Sequence, residues 1–166
     1  MDLLVEPAGW ARWGRQRLRC ALGKSGVRTV KREGDGATPV GVFAMRRLLY
    51  RPDRGGAPAT RLPNAPIADD DGWCDDPADA AYNRPVKLPY RARAERLWRD
   101  DRLYDLLVVL GYNDDPAVAG AGSAIFLHVA AADYAPSEGC VALASDDLRR
   151  ILADADATSR VVVAAP

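Results

Sequence analysis

The chain has 166 residues, 48% hydrophobic and 28% charged, with 23 basic and 23 acidic side chains and a formal net charge of zero. That length supports one domain with a real core and is short for two, so residues 1–166 read as a single domain, with a monomer as the expected state. Zero net charge gives no global drive toward nucleic acid, and no run reaches the roughly 18–20 apolar residues that span a bilayer, so neither nucleic-acid binding nor membrane insertion is expected.

The charge is unevenly spread. Residues 1–60 carry 12 Lys/Arg against 5 Asp/Glu, and the remainder carries 11 against 18. Either the basic third meets an anionic ligand, or the two parts pair within one domain. The opening "MDLLVEPAGWARW" lacks a basic leader and a long apolar stretch, so no secretory signal is visible.

In chain order, "DLLVEP" reads as a short strand. "RQRLRCALG" alternates polar and apolar residues and stops at Gly23, as a half-buried strand does. "KREGDGATPVGVFAMRRLLY" begins as a Gly-rich loop and continues as a strand through Val40, Val42 and Leu48. Residues 51–81 are rich in Pro, Gly, Asp and Ala without a period, a long excursion of the kind that tends to be functional. "NRPVKLPY" is extended, since Pro85 and Pro89 oppose a helix. "RARAERLWRDD" has the composition of one or two helical turns. "YDLLVVLGY" and "SAIFLHVA" are apolar β runs. "SDDLRRILADA" is a helix with Ser145 as its expected N-cap and Asp146 and Asp147 where the helix dipole favours negative charge. "SRVVVAA" closes the chain as a strand. The sum is a mainly β domain with one or two short helices.

The chain holds one histidine, His128, and three cysteines, Cys20, Cys74 and Cys140. An odd, widely spaced set is no disulfide framework, and the absence of a CxxC pair leaves no zinc motif. "LRCALGKS" ends like a phosphate loop, but Leu18 stands where the first Gly is required. A metal site from His128, Cys140, Cys74 and a carboxylate has no supporting spacing. Cys20 reads as core and Cys74 as an incidental loop thiol.

Cys140 as nucleophile with His128 as base is the chemically specific reading. A thiol of ordinary pKa is only a few per cent ionised at neutral pH, and an adjacent imidazole can take its proton. Gly139 permits the backbone bend that would present the sulfur, and the N–H groups of Gly139 and Cys140 could face a developing oxyanion. A buried cysteine packing as a small hydrophobe beside a backbone-bonded histidine fits the same residues.

The run His128…Ser137-Glu138-Gly139-Cys140-Val141, with "GDGATPVGVF" (34–43) upstream, resembles the YkuD-type L,D-transpeptidases, whose motif is H-x(14–17)-[ST]-H-G-C-h-[NR]. "DGWCDDPADAAYNRPV" (71–86) and "YDLLVVLGYN" (104–113) resemble segments of a compact branch of that family. The likeness spans roughly residues 24–163. Three departures stand out: eight residues separate His128 from Ser137, Glu138 replaces the second His, and Ala142 replaces the usual Asn or Arg.

The resemblance implies a β-sandwich or barrel of mixed sheets. It implies a cysteine acyltransferase that cross-links peptidoglycan stem peptides in the bacterial envelope or periplasm, without a cofactor; the alternatives are an L,D-carboxypeptidase, a cysteine hydrolase of another amide, and a non-catalytic wall-binding module. It makes Cys140 the nucleophile, His128 the base and Gly139 part of the oxyanion site, with a backbone carbonyl after His128 rather than Asp133 orienting the imidazole. Ser137 joins the substrate side. Arg84 is the expected carboxylate anchor in place of residue 142. Tyr82, Asn83, Tyr112 and Asn113 either line the groove or serve turns and interfaces. Trp73 either caps the site or packs over the sheet.

Overall fold

The computed structural model describes residues 1–166. Its strands are β1 (Asp2–Glu6), β2 (Trp10–Trp13), β3 (Gln16–Ala21), β4 (Val27–Arg28), β5 (Thr38–Pro39), β6 (Gly41–Tyr50), β7 (Asn64–Pro66), β8 (Asp71–Cys74), β9 (Pro85–Lys87), β10 (Ala94–Arg96), β11 (Leu106–Leu110), β12 (Phe126–Val129), β13 (Val141–Leu143) and β14 (Arg160–Val163). One helix, α1 (Ser145–Asp154), lies between β13 and β14. The molecule is mainly β, as its alternating and apolar runs dictate, and it has one helix rather than two.

The main sheet runs β11-β12-β13-β3-β2-β1-β14-β6-β7, and β6 pairs back with β11, which closes it into a barrel. Closure depends on the length of β6: Gly41–Ala44 pair with β14, while Met45–Tyr50 pair with β11. The pairing is mixed, with β1–β14 and β12–β13 parallel. A separate three-stranded sheet, β10-β8-β9, comes from the Pro/Gly/Asp-rich excursion and the segment after it.

Two apolar clusters follow from this arrangement. The larger fills the barrel: Leu3, Val5, Leu18 and Cys20 from the N-terminal hairpins, Leu106, Val108 and Leu110 from β11, Leu127 and Val129 from β12, and Leu148, Ile151 and Leu152 from α1. Those three helix residues are spaced i, i+3, i+4 and form the single apolar stripe that docks the helix. The smaller cluster lies on the other face of β11 and β12, where Leu107, Val109, Phe126 and Cys140 meet Ile67, Trp73, Leu97 and Tyr104. Successive strand residues point to opposite faces, so β11, buried at all five positions, feeds both clusters.

Several expectations are corrected. Ala144, not Ser145, is the N-cap of α1, and no side chain caps the helix; Asp146 and Asp147 do occupy its first turn. Residues 94–96 of "RARAERLWRDD" form β10, antiparallel to β8, with Glu95 opposite Trp73. A segment that short gains little from helical propensity, because nucleation costs more than one turn returns. Its arginines are instead fixed one by one: Arg91 to Asp79, Arg93 to Asp75, Arg99 to Asp101. Cys74 is fully buried on β8 rather than an incidental loop thiol, whereas Cys20 belongs to the core as expected. Part of the basic first third is paired with later acids, through Lys24–Glu138, Arg46–Asp114 and Arg54–Asp105.

Candidate active site

His128 lies on β12 opposite Ala142 of the parallel strand β13. Side chains alternate along β12, so Leu127 and Val129 enter the barrel while Phe126 and His128 point to the outer face. Cys140 immediately precedes β13 and joins the same outer cluster as Phe126. The Phe126 N–H donates to Cys140 Sγ at 3.4 Å, and the thiol donates to the Ala124 carbonyl at 3.2 Å. One face of the β12–β13 pair therefore carries the only histidine and the turn-borne cysteine.

The turn before Cys140 is built by close backbone packing. Gly139 has φ +137°, and a Cβ there would stand 2.8 Å from the Ala37 carbonyl oxygen, so only glycine fits. Ala37 begins the Ala-Thr-Pro-Val-Gly-Val-Phe stretch, and its neighbour Thr38 is fully buried and accepts the Gly23 N–H at 2.8 Å. The Gly23 turn grips the cysteine turn in its own right, with Ser137 N–H donating to the Leu22 carbonyl and Lys24 N–H to the Ser137 carbonyl. Within the turn, Ser137 Oγ donates to the Cys140 carbonyl at 2.7 Å and accepts the Gly139 N–H at 3.1 Å. The Cys140 N–H has no such partner in the turn. Two segments about a hundred residues apart thus hold one rigid corner.

His128 is 5% exposed, and its Nδ1 sits 2.8 Å from the Val129 carbonyl oxygen. The imidazole bonds a backbone carbonyl; Asp133 instead holds the Ala135 N–H in an exposed loop. A neutral ring donating Nδ1–H to that carbonyl leaves Nε2 as the acceptor. The Tyr104 ring lies edge-on at 5.3 Å, fixing the imidazole plane. Burial pushes the His128 pKa down to about 4, against the opposing pull of the Val129 and Leu103 carbonyls. Burial, with the charge of Glu95, pushes the Cys140 thiol up to about 12. Both groups are neutral at pH 7 in this arrangement, a thiol and an imidazole rather than an ion pair.

A cavity of about 600 Å³ opens over this face, lined by His128, Tyr104, Ala124, Ser137, Glu138 and Ala142 and by a ring of charged residues, Lys31, Glu33, Asp75, Arg93, Glu95 and Arg99. The Cys140 sulfur does not line it: the residue is 7% exposed, and its bonding neighbours Ala124 and Ser137 form the wall instead. The thiol that the Gly139 bend was expected to present is instead buried, bonded to Ala124 and Phe126. The residues weighed as metal ligands do not converge, since no three His, Cys, Asp or Glu side chains share a coordinating geometry.

The remaining expectations divide cleanly. Ser137 and His128 border the cavity; Arg84, Trp73, Tyr82, Asn83, Tyr112 and Asn113 do not. Arg84 is exposed and its guanidinium donates to the Asp114 carbonyl. Trp73 is a core residue, 5% exposed, edge-on to Phe126 at 5.2 Å, and donates to Asn83 Oδ1. Asn83 and Asn113 occupy left-handed backbone positions, φ 56° and 47°, which asparagine tolerates. Asn83 Nδ2 ties the Tyr112 and Asn113 carbonyls, and Tyr112 Oη donates to the Ala121 carbonyl. Tyr82 donates to Glu33, which also accepts from Ser123. These residues hold the wall from behind; they serve the interfaces rather than the groove.

The sequence reading missed Tyr104, Glu95, Arg93 and Arg99. Tyr104 begins the run read as an apolar strand but lies just before it, and the other three lie in the segment read as one or two helical turns. Only the pairing of β10 with β8 turns Glu95 inward.

The model of the YkuD family, the L,D-transpeptidase catalytic domain, matches residues 10–163. No curated protein matches the sequence. Among solved structures, the chain is similar to the helical cell shape determining protein Pgp2 from Campylobacter jejuni, with 14% identity and a TM-score of 0.43 over 98% of this chain and 46% of that one. The chain thus spans less than half the length of that structure. The family match runs over nearly the whole sequence, and the chain belongs to the YkuD family of L,D-transpeptidase catalytic domains.

Proposed function

We propose that residues 1–166 form one catalytic domain, a peptidoglycan L,D-transpeptidase that works through a thioester on Cys140 with His128 as its base. The observation that carries this reading is the shared corner: a histidine fixed through Nδ1 on a backbone carbonyl, on the same strand face as a cysteine following an obligatory glycine. The family match supplies the reaction class.

In the proposed cycle, Cys140 turns from the Ala124 carbonyl toward the cavity. His128 Nε2 takes the thiol proton as sulfur attacks the carbonyl on the L-centre side of the donor's diaminopimelate residue. Because burial disfavours both thiolate and imidazolium, proton transfer and attack proceed together rather than from a standing ion pair. The Cys140 N–H is free to meet the oxyanion, and the Gly139 N–H joins once Ser137 Oγ yields it. The imidazolium returns its proton to the departing D-alanine nitrogen, leaving a thioester. An amine of a second stem peptide then attacks, His128 takes its proton, and the thiolate leaves to be reprotonated. That gives 3–3 or 1–3 cross-links; water in place of the amine gives L,D-carboxypeptidase activity. Lys31, Arg93 and Arg99 are the cations lining the cavity, each already paired with an acid, and a substrate carboxylate would share one of them in the role expected of Arg84. The site of action is the cell envelope, where the substrate lies.

A second reading, a wall-binding module without turnover, draws on the buried thiol and on Glu138 and Ala142 in motif positions. Incubating the protein with purified muropeptides and following products by mass spectrometry separates the two. Cross-linked or D-alanine-shortened products, absent with Cys140→Ala, support the enzyme; unchanged muropeptides with retained binding support the module.

A further inference from the structure

Of the two half-buried acids of the cavity that form no ion pair, Glu33 and Glu95, Glu95 is the one tied to the Tyr104 ring beside His128. Its backbone is fixed on β10 opposite Trp73. One carboxylate oxygen accepts the Tyr104 hydroxyl, and the ring bearing that hydroxyl stands edge-on to both His128, at 5.3 Å, and Phe126, at 6.0 Å. Glu95 is thus one aromatic ring away from the base.

No cation of the chain forms an ion pair with it. Arg99 bonds Asp101 through its fork and lies over the Tyr104 ring at 5.0 Å. Arg93 pairs with Asp75, and Lys31 with Asp35. The charge of Arg99 reaches Glu95 from a distance and favours its ionised form, Asp75 and Glu33 oppose it, and burial, the largest cause, leaves the Glu95 pKa raised. A half-buried carboxylate with no directly bonded counterion is held toward its neutral form, and a cation seated against it would favour the charged one.

We propose that Glu95 binds a primary ammonium carried on the side chain of the donor residue whose carbonyl is attacked. The inference rests on the transpeptidase reading and adds a substrate requirement to it. A diaminopimelate donor presents such an ammonium at its D-centre, several bonds from the L-centre carbonyl. Neutral or acylated side chains would leave Glu95 unpaired.

The contact also reaches the nucleophile. The Glu95 charge is among the causes holding the Cys140 thiol protonated. An ammonium seated on Glu95 cancels that charge, so the arriving substrate eases ionisation of the thiol it is about to meet. The site stays quiet toward adventitious electrophiles until a cationic donor is bound.

The test uses two synthetic tetrapeptides, L-Ala-D-isoglutamyl-diaminopimelyl-D-Ala with the D-centre amine free or acetylated. The donor half-reaction is read as D-alanine release and as a thioester adduct on Cys140 by intact mass, so that acetylation cannot act by removing an acceptor. Wild type should acylate from the free amine at least 10-fold faster than from the acetylated peptide. Glu95→Gln should erase that difference by losing the free-amine rate, and Glu95→Asp should keep part of it. Glu95→Gln should alkylate Cys140 with iodoacetamide as fast as wild type or several-fold faster with its thermal midpoint unchanged, which separates the lost charge from loosened packing around a buried thiol. Equal acylation of wild type by both peptides overturns the ammonium subsite and leaves the transpeptidase reading intact. No adduct from either peptide, with Cys140 still alkylated by iodoacetamide, overturns both.

Discussion

Strands β11 and β12 are buried on both faces, yet the two faces do different work. Toward the barrel they present only hydrocarbon: Leu106, Val108, Leu110, Leu127 and Val129. Toward the three-stranded sheet β10-β8-β9, Phe126 and His128 alternate with them and meet Tyr104, Trp73 and Cys140. Burial on the first face removes apolar area from water and stabilises the fold. Burial on the second also sets proton affinities, lowering that of His128 and raising that of Cys140. The same sheet separates stability from chemistry by the two-residue period of its strands.

The sharpest way to break that division is at Cys140. Cys140→Ala should reduce turnover to background while costing only about 1 kcal/mol of stability, since it removes one sulfur and two weak hydrogen bonds. Muropeptide assays and a denaturant titration check the two halves; a loss above about 3 kcal/mol would make Cys140 a core residue first. The mirror experiment is Leu127→Ala, one position from His128 on the opposite face. It should cost about 2–5 kcal/mol by leaving a cavity in the barrel, with the thiol's alkylation rate nearly unchanged in the folded fraction.

The pH dependence of stability probes the histidine of the outer face. The His128 pKa is depressed in the fold, so above about 6.5 both states are neutral there and stability is intact. Below that the unfolded chain takes a proton the folded chain refuses, and stability falls until pH reaches about 4. The total loss from this group is on the order of 3 kcal/mol. Urea titrations between pH 7 and 4 should show it, and His128→Asn should flatten that part of the slope. A slope unchanged by the substitution would mean that other groups carry it.

Gly139→Ala tests the corner that joins the faces. A methyl at φ +137°, 2.8 Å from the Ala37 oxygen, should cost roughly 1–3 kcal/mol and slow acylation by displacing Cys140. The smallest effect should come from Arg84→Ala. That exposed side chain reaches only the Asp114 carbonyl, so stability should move by no more than about 0.5 kcal/mol and activity should hold. A marked loss of activity would restore Arg84 as the carboxylate anchor.

Much of the molecule is written locally. The apolar β runs, the helix stripe at Leu148, Ile151 and Leu152, and the glycine before Cys140 depend on short-range period and backbone freedom, so they are legible in the chain alone. The motif around His128 and Cys140 pointed to the family for the same reason, its residues lying within one strand and the turn after it. The segment around Glu95 was not legible, because arginine-rich composition favours a helix until pairing with β8 outweighs it. Nor were the roles of Trp73, Asn83 and Arg84, whose neighbours come from β12, from the loop after β11 and from Asp114. Sequence fixes which residues can do chemistry and which face of a strand they share. Whether a side chain reaches the cavity, and whether it is charged there, depends on what packs over that face, and those atoms come from distant parts of the chain.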